Sequence, residues 1–267
     1  MKRVVWLTDI HLNFLSETRV ATFLDEIAGT NPDAVLISGD IAEAHDVCHY
    51  LELLQESIPA SIYFVLGNHD FYHGSIRKTR ADVARVCLEH PQLHYLTTEN
   101  HADRLATQVG VVGHDGWADG RLGDYPRSLV TMLDWKLIEE LKPHDRRSRW
   151  NVLKGLADES ADHIRQVLPE ALNQYRDVVL VTHVPPFLKA CWHEGRISDA
   201  QWSPHFTCHA MGQAIREVMQ AHPNNRLTVL CGHTHGQGES QPLQNVQVLT
   251  GGAEYASPRI ARIFEFD

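Results

Sequence analysis

Five short polar stretches hold the side chains that could bind metal ions and cleave an ester: Asp9-Ile10-His11, Gly39-Asp40, Gly67-Asn68-His69-Asp70, His183 and Gly232-His233-Thr234-His235. They offer carboxylates, one carboxamide and imidazoles, with no cysteine or methionine among them. Such an oxygen and nitrogen donor set suits Mn, Fe or Zn better than soft-metal or cluster chemistry. Asp9 and His11 are two residues apart, as are His233 and His235, so in extended chain each pair projects to one side. Asp40 follows a glycine that allows a tight turn, which suits a carboxylate shared by two cations. Singly these signals are weak: Gly-Asp after a strand is commonly a turn or a helix cap. GNHD alone could be an Asx-type turn, and His183 alone is as readily structural. Their joint occurrence predicts a two-metal centre.

Each stretch ends an apolar run, namely VVWL, AVLIS, IYFVL, VVLVT and LTVLC. Runs of this length, rich in Val, Ile and Leu, read as buried parallel strands. Open α/β sheets bind ligands beyond the carboxyl ends of such strands, so the polar stretches converge there. The spacing predicts strands over 3–8, 34–38, 61–66, 109–113 and 178–182. Further strands are expected near 227–231, 246–250 and 259–265. Helices are expected after Ser16, with Val20, Phe23, Leu24 and Ile27 as the apolar face. Others are expected on Val47, Tyr50, Leu51 and Leu54, from Ser75 to Glu89, over 129–141 and 151–174, and near 209–221. The early strand–helix alternation implies helical crossovers between parallel strands. Residues 114–128 and 185–208 lack periodicity and read as long loops, the usual place for lids and walls of a site.

The 267-residue chain carries a formal net charge of −10, which argues against a nucleic-acid polymer as partner. An acidic substrate remains compatible, because bound divalent ions reverse the local field. No stretch approaches a membrane span. Five cysteines without a CxxC pair fit a reducing cytoplasm. With no repeat or low-complexity linker, residues 1–267 are expected to form one domain, with loop insertions near 114–128 and 185–208.

In order, D-x-H, G-D, G-N-H-D, H and G-H-x-H resemble the signature of the calcineurin-like metallophosphoesterases, from residue 4 to about 253. The resemblance implies an αββα sandwich: two stacked mixed β-sheets flanked by helices. It implies one metal held by Asp9, His11, Asp40 and His235, and a second by Asp40, Asn68, His183 and His233. His69 would act on the phosphoryl group or leaving oxygen, stabilising its charge or protonating it, and Asp70 would orient the His69 ring. Two divalent cations roughly 3.5–4 Å apart would clamp a phosphate ester and turn a bridging water into hydroxide. The expected activity is hydrolysis of a small phosphodiester, ahead of a phosphomonoester. A metal-binding interaction scaffold without turnover is the reading from another class. The protein-phosphatase pattern GDxxDRG with GNHE is absent, and no GxSxG elbow, P-loop or nucleophilic Cys-His pair appears. His114, at the end of one strand, and Trp192 and Trp202, in the loop that leaves His183, are the candidate substrate contacts.

Overall fold

The computed structural model describes residues 1–143 and 145–267. Its first part alternates as the apolar runs predict: β1 (Lys2–Leu7), α1 (Glu17–Gly29), β2 (Ala34–Ser38), α2 (Val47–Ser57), β3 (Ser61–Val65), α3 (Ile76–Glu89) and β4 (Leu93–Tyr95). The expected apolar face of α1 is buried, although the Ser16 side chain makes no capping bond. Ser75 does cap α3, accepting the Lys78 N–H. A hairpin follows, β5 (Asp103–Ala106) and β6 (Val109–Gly113), then α4 (Asp134–Leu137), α5 (Arg146–Gln174) and β7 (Asp177–Val181). The rest comprises a ribbon of β8 (Trp192–His193) and β9 (Arg196–Ile197), then α6 (Ser203–Phe206), α7 (His209–Ala221), β10 (Arg226–Cys231), β11 (Gly238–Leu243), β12 (Val246–Thr250) and β13 (Arg262–Phe266).

Two mixed sheets result, in the orders β13-β1-β2-β3-β4 and β11-β12-β10-β7-β6-β5. Their central strands are parallel, and antiparallel strands close three of the four edges. Side-chain alternation then builds the layers. Val4, Trp6, Leu36, Tyr63 and Val65 of the first sheet pack on Val109, Val111, Val179, Val181, Leu230 and Leu249 of the second. The intervening residues Val5, Leu7, Val35, Ile37, Ile62 and Phe64 face α1, α2 and α3. On the far side Val178, Leu180, Val229 and Val248 face α5 and α7. This is the four-layer sandwich that the resemblance implied.

Two expectations about the middle of the chain need correction. The stretch 129–141 forms only the single turn of α4, because its apolar residues serve different surroundings: Ile138 and Leu141 are buried, while Leu129 and Leu133 are exposed. Helix α5 begins at Arg146, before the apolar spacing starts at 151, with Asp145 accepting the Ser148 N–H at 2.7 Å as N-cap. The short β4 and β5 and the polar edge strand β11 (GESQPL) carry no apolar run to announce them.

Buried Asp115, just past β6, ties the two sheets together under the site. Its carboxylate accepts the Leu66 N–H, the Thr97 and Tyr95 hydroxyls and the Arg80 guanidinium. Burial alone would raise this carboxyl, yet Arg80 and these donors hold it below its ordinary value.

Candidate metal centre

The polar stretches all lie at carboxyl ends of central strands: after β1, β2 and β3 in one sheet, and after β7 and β10 in the other. The stacking of the sheets brings both sets to one rim. The backbone there is unusual. Asp9, His11, Asp40, His233 and His235 all have positive φ, between 40° and 70°. They are five of the nine non-glycine residues with positive φ among the described residues. Each such conformation costs on the order of 1–3 kcal/mol, and such strain gathers where function holds it. Gly39 has φ +88°, and a Cβ there would lie 2.7 Å from both the Gly67 nitrogen and His183 Nδ1. At Gly67 a Cβ would collide with Asp40 Oδ1. The loops after β2 and β3 therefore approach too closely for any other residue.

The side chains form two adjoining cages. In the first, ligand atoms of Asp9, His11, Asp40 and His235 all lie within 4.8 Å of one another. His235 Nε2 is 3.5 Å from both Asp9 Oδ1 and His11 Nε2. In the second, Asn68 Oδ1 is 3.0 Å from His183 Nε2 and 2.9 Å from His233 Nδ1, and these nitrogens are 3.2 Å apart. Asp40 stands between: Oδ1 is 3.4 Å from His183 Nε2, and Oδ2 is 3.8 Å from His11 Nε2. Seven of the sequence candidates thus converge.

Hydrogen bonds fix the tautomers of the second cage. His183 Nδ1 lies 2.9 Å from the Ser38 carbonyl, which can only accept, so its proton is there and its Nε2 lone pair faces inward. His233 Nε2 likewise donates to the His205 carbonyl at 2.9 Å, leaving the Nδ1 lone pair inward. The Asn68 amide donates to Asp134 at 3.0 Å, which turns its carbonyl oxygen into the same space. Three lone pairs and a carboxylate oxygen then face one another with no proton between them. A divalent cation reconciles that arrangement, and the residues fit the implied metal pair.

Electrostatics agree. Burial first, then the charges of Asp9 and Asp70, push the Asp40 carboxyl well above its ordinary value. Burial and neighbouring imidazoles hold His11 down to about 2, His69 to about 3 and His233 to about 4. The rings are neutral, the form that binds metal. The two cages are built from carboxylates, one carboxamide and neutral imidazoles, and two cations would supply positive charge.

Around the cages some expectations hold a different place. Asp70 makes no hydrogen bond to the His69 ring, whose Nδ1 has no partner among the described residues. Its buried carboxylate accepts the backbone N–H groups of Ile41, Ala42 and Gly67 at 2.8–2.9 Å and so locks the two loops together. His69 stacks on Tyr72, with ring centroids 4.2 Å apart, and sets its edge to His11 at 4.7 Å. His114 points away from the cages: its ring meets His163 of α5, and its Nδ1 accepts the Gly116 N–H. Trp192 lies against Gly236 and Gly238, beyond His235. Trp202 stacks on Phe206, which meets His233 edge-on at 5.4 Å, so Trp202 is one layer removed.

Sequence reasoning missed four groups here. Asp134 accepts from both Asn68 and the Tyr72 hydroxyl, the latter at 2.7 Å. The Thr8 hydroxyl donates to Asp9 at 2.6 Å. The His205 carbonyl orients His233. The Tyr255 hydroxyl lies 3.3 Å from His69 Nε2, and its ring lies 4.8 Å from those of both His11 and His235. Histidine-rich spacing marked the region of His205, and nothing marked the others.

Comparison with known proteins converges on one family. Residues 2–237 match the family model described as calcineurin-like phosphoesterase. An uncharacterized metallophosphoesterase of Campylobacter jejuni is 28% identical over 102 residues, 37% of this chain and 26% of that protein. A putative metallophosphoesterase of Caenorhabditis elegans is 29% identical over 79 residues, 27% of this chain and 16% of that protein. The aligned parts are thus well under a third of those relatives. Among solved structures, phosphopantetheinyl hydrolase from Mycobacterium tuberculosis superposes with a TM-score of 0.66 at 15% identity, covering 93% of this chain and 89% of that one. A dimetal phosphatase from Danio rerio superposes with a TM-score of 0.59 at 14% identity, covering 96% and 89%. At such identities the superpositions speak for the fold.

Proposed function

The chain belongs to the calcineurin-like phosphoesterase family, and we propose that it is a two-metal hydrolase of small phosphate esters. The observation that carries this reading is Asp40, whose two oxygens face different cages of inward lone pairs. Asp9, His11, Asp40 and His235 would hold one ion, and Asp40, Asn68, His183 and His233 the other. The oxygen and imidazole donors fit Mn, Fe or Zn. Two bound ions would supply Lewis-acid activation of the phosphoryl group and of the attacking water.

The remaining work falls to the chain itself. The carbonyls of Ser38 and His205 and the carboxylate of Asp134 keep the donors turned inward. His69, neutral and held between Tyr72 and His11, presents an N–H to the departing oxygen and stabilises its charge without needing to be protonated. Small phosphodiesters are placed ahead of monoesters. A diester carries less charge, and among the described residues no lysine or arginine lines the cleft beside His69. Residues 1–267 would act as one domain. Among the described residues no helix is long and apolar enough to cross a membrane. Five free cysteines support a reducing, cytoplasmic setting.

Purified protein loaded with Mn should contain about two ions per chain and should hydrolyse bis-p-nitrophenyl phosphate. Two bound ions with no turnover of any mono- or diester would favour the interaction scaffold instead. A second measurement tests the donor orientation. Asp134→Ala frees the Asn68 amide to rotate and should weaken one of the two metal sites by about 10–100-fold. The other site should be unchanged, and Asp134→Asn, which still offers an oxygen, should recover most of the loss. Equal weakening of both sites would show that Asp134 supports the fold rather than one donor.

A further inference from the structure

A cleft of about 520 Å³ opens directly on His69. Phe14, Tyr72, Leu133, Leu137 and Tyr255 form its walls, and Glu43 is the acidic group on them. Five separate chain segments supply these side chains: the turns after the first, second and third polar stretches, the α4 region, and the segment after β12. Phe14 is 46% exposed, Leu133 56% and Tyr255 51%. Single exposed apolar residues are ordinary on protein surfaces. Here they converge on one concavity beside a candidate metal centre, and that calls for an occupant. Phe14 and Tyr255 meet edge to face at 5.5 Å, which gives the cleft an aromatic wall. Its volume falls in the roughly 300–1,000 Å³ range of small-molecule sites.

We propose that this cleft receives the leaving group of the substrate, and that the substrate is a phosphate ester of an apolar aryl or alkyl alcohol. The assignment rests on the phosphoester-hydrolase reading and adds the chemistry of the alcohol. His69 stands at the inner end of the cleft, where the ester oxygen would lie. An apolar alcohol buries the exposed faces of Leu133, Phe14 and Tyr255. A leaving group with further phosphates would meet Glu43 and two leucines, with no lysine or arginine among the described lining residues to pair with. The step balances with water alone. The water oxygen bonds to phosphorus, the ester P–O bond breaks, and the proton given up by the water ends on the departing alcohol.

The test uses the metal-loaded protein and p-nitrophenyl-free esters in a homologous series, from methyl to hexyl phosphate and phenyl to naphthyl phosphate, as mono- and methyl diesters. With the cleft as subsite, kcat/KM should rise about fourfold per added methylene until the cleft is filled. Glycerol phosphate and nucleoside diphosphates should rank low. Leu133→Asp, at an exposed position that tolerates a charge, should flatten the series while leaving the metal content at wild-type values. As a readout independent of turnover, calorimetry should show hexylphosphonate binding to wild type at least about tenfold more tightly than methylphosphonate. The Leu133→Asp protein should lose that difference. A flat series in an active enzyme overturns the apolar-leaving-group assignment and leaves the hydrolase reading standing. No turnover of any ester, together with preferential hexylphosphonate binding that Leu133→Asp abolishes, removes the hydrolase reading and keeps the cleft as a site for apolar phosphoryl compounds. No chain-length preference in either measurement overturns the cleft itself.

Discussion

Asp40→Asn is expected to lose both metal ions and yet to stabilise the metal-free fold. The carboxylate is the one donor shared by the two cages, and an amide cannot supply its charge. The contribution of the ions to the transition state is several kcal/mol, so hydrolysis should fall by at least about 10³-fold. The stability effect runs the other way because burial first, then the charges of Asp9 and Asp70, raise the Asp40 carboxyl well above its ordinary value of 3.8. The folded chain therefore holds this proton more tightly than the unfolded chain does. Stability from that source is fully present below the unfolded value and is lost as pH rises through the folded one. An amide of the same shape carries no such penalty and leaves the oxygen that accepts the backbone N–H of His69 at 2.9 Å. At neutral pH the metal-free variant should melt at least about 2–4 °C above metal-free wild type, the shift that roughly 1 kcal/mol produces at this size. Added Mn should raise the melting temperature of wild type alone. A variant that still binds two ions would remove Asp40 from its place between the sites.

The candidate ligand residues were legible because each is bound to a local signal. Asp9 and His11, and His233 and His235, are two residues apart, and every polar stretch terminates an apolar run whose burial is written in its own composition. The groups that orient those ligands were not legible, since their link to the site is tertiary. Asp134 lies 66 residues from Asn68, in a stretch whose apolar residues point to different surroundings. Tyr255 lies 186 residues from His69, in a segment without strand or helix. His205 contributes a backbone carbonyl, which no side-chain pattern can show. His114 was misplaced for a different reason. Alternation at a strand end sends neighbouring side chains to opposite faces, so its ring went to α5 while Asp115 turned toward the loop after β3. Layer architecture followed the same rule: long buried strands were visible, and the short or polar edge strands β4, β5 and β11 were not. The second sheet came from the resemblance rather than from periodicity.

His69→Ala is expected to keep both metal ions and to lose turnover by about 10²–10⁴-fold. The residue sits outside both cages, although its ring borders them, stacked on Tyr72 and edge-on to His11. Burial, then His183, His235 and His233, hold its imidazole down to about 3, and adjacent cations would depress it further. A group whose folded value lies that low is neutral across the range where an ordinary histidine titrates. Its contribution would therefore be the dipole of an N–H aimed at developing negative charge, as neutral donors act in other sites. Two consequences separate this from an imidazolium acid. The ratio of wild-type to variant kcat should stay level between about pH 5 and 8, where a histidine of unperturbed pKa would gain or lose its proton. The loss should also be smallest for p-nitrophenyl esters, whose leaving oxygen carries little localised charge, and largest for alkyl esters. A ratio that falls with rising pH through the neutral range would show that the protonated ring does the work. A level ratio with equal loss for all leaving groups would make His69 a residue that positions the phosphoryl group, and Tyr255, 3.3 Å away, would then be the group left beside the departing oxygen.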